Sequence, residues 1–210
     1  MSDAKLDAPG EHAGCACSLD ASRRNLIAAT AVVGGAAGLG AAVPFAVSFA
    51  PSERAKAAGA PVEVDIGGML PGELKTVEWQ GKPVWILRRT PEMLASLKKT
   101  DDLVADPESL RAKQPAYIKG EARAIKDEFF VCEGICTHLG CSPTAKMALG
   151  SESGISDSWQ GGFLCPCHGS LFDLAGRVYK SMPAPDNLVV PKHTYLSDTR
   201  LLIGEDSKES

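Results

Sequence analysis

The sequence predicts an all-β head of antiparallel strands, with a smaller subdomain inserted between them, preceded by one N-terminal transmembrane helix. Three observations predict it. No charged residue occurs from Asn25 to Ser52, so this run suits hydrocarbon better than water. From Val62 onward, short runs rich in β-branched and aromatic residues alternate with turns bearing glycine and proline. Two boxes dense in cysteine and histidine, Cys136-Thr137-His138-Leu139-Gly140-Cys141 and Cys165-Pro166-Cys167-His168-Gly169-Ser170, interrupt that strand pattern. The 210 residues, 44% of them hydrophobic, suffice for one domain plus appendages. A net charge of −4 and the lack of basic clusters argue against a nucleic-acid partner.

Residues 1–22 are polar and small, without a hydrophobic period, and read as a cytoplasmic tail ending at the start of an export signal. His12, Cys15 and Cys17 lie there, and an unstructured tail is a plainer account of them than a metal site. Arg23 and Arg24 directly precede the apolar run, which suits either a twin-arginine export signal or an ordinary positive-inside flank. Residues 23–50 form the anchor. Leu26 to Ala50 alone is 25 residues, enough to cross a bilayer with some tilt at about 1.5 Å per residue. Gly34, Gly35, Gly38 and Gly40 allow a neighbouring helix to approach closely. A cleaved signal peptide competes, with Ala55-Lys56-Ala57 as an Ala-x-Ala-like triplet, but the length of the run favours retention. Arginines on the N-terminal side place the head in the periplasm. Residues 51–61 (PSERAKAAGAP) form a linker, either a flexible tether or a short helical extension.

The head, residues 62–210, begins with strand patterns over 61–66, 74–79 and 83–88, with Gln80-Gly81-Lys82 as a hairpin turn. Trp79 and Trp85 suit packing better than electron relay. Thr90 N-caps a short helix with Pro91 in its first turn and an apolar face of Met93, Leu94 and Leu97. Residues 101–116, with Pro107 and Pro115, are expected to be irregular. A strand over 129–135 delivers the first box; Cys132 within it lies outside the motif spacing and reads as a buried thiol. Residues 142–162 are expected to be an exposed connection, and 162–164 a strand leading into the second box. Strands over 188–190, 194–196 and 200–203 close the sheet. His193, which belongs to neither box, reads as a surface or satisfied strand histidine.

Each box supplies one cysteine and one histidine at close spacing, plus a further cysteine. A tetrahedral zinc on two thiolates and two imidazoles fits that count but leaves Cys141 and Cys167 without a role. A [2Fe–2S] cluster employs more of the residues, with Cys136 and Cys165 on one iron, His138 and His168 on the other, and Cys141 and Cys167 then forming a disulfide. A cofactor inserted in the cytoplasm requires export of a folded domain, which favours the twin-arginine reading.

Both boxes resemble those of the Rieske iron–sulfur subunits of bacterial cytochrome bc1 complexes, the ubiquinol–cytochrome c reductases. The likeness continues through Phe172-Asp173-Leu174-Ala175-Gly176-Arg177 and Pro183-Ala184-Pro185-Asp186-Asn187-Leu188, the latter similar to the family's cluster-covering proline loop. It runs from the anchor nearly to the C-terminus. The resemblance implies a Rieske-type head with a cluster-binding subdomain over about 132–187, and one [2Fe–2S] cluster on Cys136, His138, Cys165 and His168. It also implies a Cys141–Cys167 disulfide suited to an oxidising compartment. Ser170 would hydrogen-bond a bridging sulfide and raise the potential. His168, beside His138, would accept a hydrogen bond and proton from quinol, with Leu139 and the prolines around Pro183 as the docking rim. Two neutral imidazoles in place of thiolates raise the potential, and a solvent-facing ligand histidine couples proton to electron transfer.

The resemblance further implies a hinge at the linker, a quinol pocket completed by cytochrome b, electrons leaving for cytochrome c1, ubiquinol as the quinone type, and a dimeric complex in the inner membrane. Two departures stand out: Phe172 where many members have a tyrosine that bonds a cysteine sulfur, and Met182 where a glycine is common. The alternative is the small Rieske subunit of a periplasmic molybdenum oxidase such as an arsenite oxidase, against which the bc1-like flanks argue. A soluble ferredoxin or a zinc module accounts for neither the extra cysteines nor the membrane segment.

Overall fold

The computed structural model describes residues 21–52 and 59–206. The tail up to residue 20, with His12, Cys15 and Cys17, and the linker core 53–58 lie outside the described residues. The chain divides into two compact units, Met1–Ser52 and Glu53–Ser210. The first contains helix α1, Ala21–Ser48, which takes Arg23 and Arg24 into its first turns and ends two residues short of the expected boundary. Its 28 residues include an 18-residue stretch of mean hydropathy 1.9 and bury nothing within the unit, so it is long and apolar enough to cross a membrane. Pro44 lies inside it and removes one backbone donor.

The second unit has the expected all-β architecture, built among its described residues on three antiparallel three-stranded sheets. One orders β1 (Val62–Asp65), β9 (Arg200–Ile203) and β8 (His193–Tyr195); the second β2 (Leu74–Trp79), β3 (Lys82–Arg88) and β4 (Phe129–Glu133); the third β5 (Thr144–Lys146), β6 (Gly162–Leu164) and β7 (Leu171–Phe172). Strand β3 pairs β4 with Trp85 opposite Cys132 and Val84 opposite Glu133. Alternation then sends Trp85, Leu87, Phe130 and Cys132 into one core and Val84, Ile86, Phe129 and Val131 into another. The near-continuous apolar runs of β3 and β4 follow from burial on both faces.

The β2–β3 hairpin turns on two residues, Gln80 (φ 52°) and Gly81 (φ 71°), while Lys82 already pairs with Trp79. Helix α2, Pro91–Thr100, starts where the sequence places it: Thr90 Oγ1 accepts from the Met93 amide at 3.3 Å.

Three expectations are corrected. Residues 188–190 form no strand, because their backbone groups bond singly to four separate places: the Leu188 amide to Gly176, the Leu188 carbonyl to Arg123, the Val190 amide to Lys113, and the Val189 carbonyl to the Glu133 amide. Residues 142–162 are not simply an exposed connection. They contribute β5, a 3₁₀ turn at Gly150–Ser153, and Trp159, which is buried with its indole N–H donating to the Lys146 carbonyl at 2.9 Å. The strand into the first box stops at Glu133 rather than 135: the Gly134 amide still donates in register to the Pro83 carbonyl, but Pro83 has no N–H to return the bond. Residues 101–116 are irregular as expected, yet anchored, with Val104 bridged to Tyr179.

Candidate metal centre

Each box closes on itself with the same pair of backbone bonds. In the first, the Cys136 amide donates to the Cys141 carbonyl at 2.7 Å and the Gly140 amide to the Cys136 carbonyl at 3.0 Å. In the second, the Cys165 amide donates to Ser170 at 2.8 Å and the Gly169 amide to Cys165 at 2.9 Å. Gly140 (φ 84°) and Gly169 (φ 76°) occupy equivalent left-handed positions that a Cβ would strain. The Cys141–Cys167 disulfide joins the two loops, as expected.

Depth separates the thiols from the imidazoles. Cys136 and Cys165 are free thiols, 2% and 1% exposed, in the core with Trp85, Phe163 and Phe172. The Cys136 thiol is hydrogen-bonded with Cys165 and Ser170, and burial pushes it above the ordinary thiol range. His138 is half-buried and His168 exposed, and their rings meet edge to face with centroids 4.7 Å apart. The buried His138 Nδ1 has no hydrogen-bond partner among the described residues. A buried polar atom is normally satisfied, so this nitrogen fits a metal ligand. The sulfurs of Cys141, Cys165 and Cys167 lie within 4.8 Å of one another, but the disulfide removes two of them as ligands. Two free thiols and two imidazoles remain. That donor set suits a [2Fe–2S] group with mixed ligation.

A third loop, residues 183–187, is tied to both boxes. Ser170 Oγ accepts from the Ala184 amide at 3.0 Å, and Thr137 Oγ1 donates to the Asp186 carbonyl at 2.6 Å. Leu139, 72% exposed, and Pro183 stand at the surface, and Met182 is half-buried behind Ser181, whose φ is 61°. Phe172 is fully buried and pairs with Phe163 across β6 and β7.

Below the second box lies a construction that sequence reasoning missed. Asp173 Oδ1 accepts from the Ala175 and Arg177 amides, at 2.9 and 2.8 Å, while its Oδ2 accepts from Arg177 Nε at 2.8 Å and Thr100 Oγ1 at 3.0 Å. Arg89 donates to the Leu174 carbonyl, and Arg123 to those of Ala175 and Leu188. All three arginines are buried. Burial pushes the Arg89 and Arg123 guanidinium groups down to about 10, so they stay charged at neutral pH. Cys132 is the expected buried thiol, pushed up to about 12 by burial. Asn187 completes the frame: its Oδ1 accepts from the Val178 amide and its Nδ2 donates to the Asp106 carbonyl. The four-residue spacing of Asp173 and Arg177 is the one signal in the sequence that pointed to any of this.

Residues 61–194 match the family described as Rieske [2Fe-2S] domain. The chain is 58% identical over 184 residues to the ubiquinol-cytochrome c reductase iron-sulfur subunit of Allochromatium vinosum, covering 88% of each chain. It belongs to the Rieske iron–sulfur family, in the branch of ubiquinol–cytochrome c reductase subunits. The subunit of the same description from Rhodospirillum rubrum is 38% identical over 198 residues, 94% of this chain and 100% of that one. Among solved structures, a chain of a hyperthermophilic respiratory complex III is 26% identical with a TM-score of 0.45, over 82% of this chain and 96% of that one, and adds nothing to the assignment. The cofactor of this Rieske chain is one [2Fe–2S] cluster, which the donor set of the tip fits.

Proposed function

We propose that this Rieske chain is the electron-carrying subunit of a proton-translocating quinol–cytochrome c reductase, with Cys136, His138, Cys165 and His168 holding the cluster. The observation that carries the reading is the ordering by depth: two buried thiols beneath two imidazoles that meet at a surface bearing the exposed Leu139. When bound, the cluster supplies a one-electron acceptor of raised potential, because two ligands are neutral. His138 Nδ1 is the ligating nitrogen of that ring. His168 turns its outer nitrogen to the ubiquinol hydroxyl, accepts the hydrogen bond and takes the proton. Cys136 and Cys165, packed against Trp85 and Phe163, exclude water from the inner side. The Ser170 hydroxyl stabilises negative charge at the sulfur side.

Leu139 and Pro183 form the rim that docks against cytochrome b, and cytochrome c1 receives the electron within a dimeric complex. Residues 1–22 are the cytoplasmic tail, 23–50 a single-pass anchor in the bacterial inner membrane, 51–61 the hinge and 62–210 the periplasmic head, with the cluster held by 132–187. Arg23 and Arg24 serve twin-arginine export.

EPR of reduced membranes, titrated against potential at several pH values, tests the reading. A rhombic Rieske signal with a positive midpoint that falls as pH rises is expected. A pH-independent midpoint at the low end for such centres, about −150 mV, would overturn quinol oxidation, and no signal in metal-replete protein would return zinc.

A further inference from the structure

Strand β4 is buried along its whole length, yet it ends in a carboxylate. Glu133 receives Lys82 Nζ on both carboxylate oxygens at 3.0 Å. Its side chain is 10% exposed and that of Lys82 44%. Alternation along β4 turns Cys132 and Gly134 towards the core that holds Cys136 and Cys165, and puts Glu133 on the other face. There it lines a cavity of about 190 Å³ together with Cys136, Thr137, Lys113 and Asp186. A carboxylate only 10% exposed, bordering the same cavity as a cluster ligand, acts on the cluster's charge at the protein's edge, where screening is weaker than in bulk water. Stability alone is a weak account of the pair, since an ion pair with one member nearly half in water contributes little.

We infer that the Glu133–Lys82 pair sets the reduction potential of the cluster, with Glu133 the dominant member. Glu133 disfavours the extra negative charge of the reduced state and Lys82 favours it. Lys82, nearly half in water, is the more screened of the two. The inference rests on the reading of Cys136 as a ligand.

The test is an EPR-monitored redox titration of the full, loaded complex at pH 7, with thermal melting alongside. Both single variants lose the same ion pair, so a packing defect moves both in one direction. An electrostatic setting moves them apart. Glu133→Gln is expected to raise the midpoint, Lys82→Gln to lower it by less, and the double variant to lie between, while the melting temperature falls more in Lys82→Gln, which leaves the sheltered carboxylate unpaired. Lys82→Arg keeps the charge and is expected to leave the midpoint in place, so if Glu133→Gln fails to assemble, a fall in Lys82→Gln that Lys82→Arg lacks still separates charge from packing. Unmoved midpoints, or shifts of one sign, with an intact Rieske signal would overturn the inference. A wild-type complex with no Rieske signal would instead overturn the ligand assignment.

Discussion

The two loops of the tip and the turn at residues 173–177 beneath them each close with a pair of backbone bonds, but the tip adds one covalent link, whereas the turn adds buried guanidinium groups. In the tip, each loop closes through two of its own amides without drawing on the thiols or imidazoles. In the turn, the carbonyls of Leu174 and Ala175 have no strand or helix partner and are satisfied from a distance by Arg89 and Arg123. The lesson is that loops closed alike are put to different uses by their side chains: those of the tip are left for chemistry, while those of the turn join a non-local arginine frame that supplies the rigidity beneath. The two regions should therefore fail differently.

The largest effect is expected from Arg177→Met. It leaves Asp173, 1% exposed, as a buried charge without its partner, at a cost of about 3–5 kcal/mol. Urea unfolding should show the whole head destabilised, tip and base together. If only the cluster signal is lost while the unfolding midpoint stays, the turn is not the foundation of the head.

Second comes the double variant Cys141→Ser/Cys167→Ser. The bridge spans 26 residues, so its removal should cost about 3 kcal/mol by the chain-entropy account. Here the loss should be confined to the tip: cluster absorbance bleaches on standing while far-UV circular dichroism is retained. Loss of both signals at one rate would erase the distinction drawn between tip and base.

The same contrast explains what the sequence disclosed. The tip was legible because its reactive residues sit within two six-residue boxes whose spacing is itself chemistry, and α2 because Thr90 and Pro91 are local signals. The frame was not legible. Nothing near Arg89 or Arg123 in the chain says that each reaches more than 50 residues ahead to a carbonyl. The strand expected over 188–190 failed for the same reason: three apolar residues look like a strand until their backbone groups find partners in four different places. Trp159 was missed because a glycine- and serine-rich context hid one buried anchor.

A third, smaller effect concerns Phe172, buried below the tip. Phe172→Tyr adds a donor directed at cysteine sulfur. One such bond of about 1 kcal/mol corresponds to a midpoint raised by roughly 40 mV for one electron. A redox titration showing an unchanged or lower midpoint would mean that the core gives the hydroxyl no route to sulfur, and the tip's potential would then be set elsewhere.

The smallest expected effect lies in the base, at His193 on β8. Its Nδ1 is 2.8 Å from the Pro191 carbonyl, and its Nε2 is buried without a partner among the described residues. The ring thus holds one proton on Nδ1, and a second would need an acceptor that Nε2 lacks. Burial accordingly lowers its pKa below the ordinary histidine value. Around it stand the rings of Tyr117 and Tyr195, the carboxylate of Asp206 and the ammonium of Lys192. Tyr117 is pushed up to about 12 by burial, and the bond from Lys192 holds Asp206 below the usual carboxylate range, so neither changes charge near neutrality. With the folded pKa lowered, the unfolded chain binds the proton first as pH falls. Stability is then complete above about 6.5, the unfolded value, and declines as pH drops below it. Comparing urea midpoints of the wild type and His193→Gln across pH 5–8 isolates this slope from the histidines of the tip. The variant should lack the decline; an identical slope in both would assign the acid sensitivity to the tip rather than to the base.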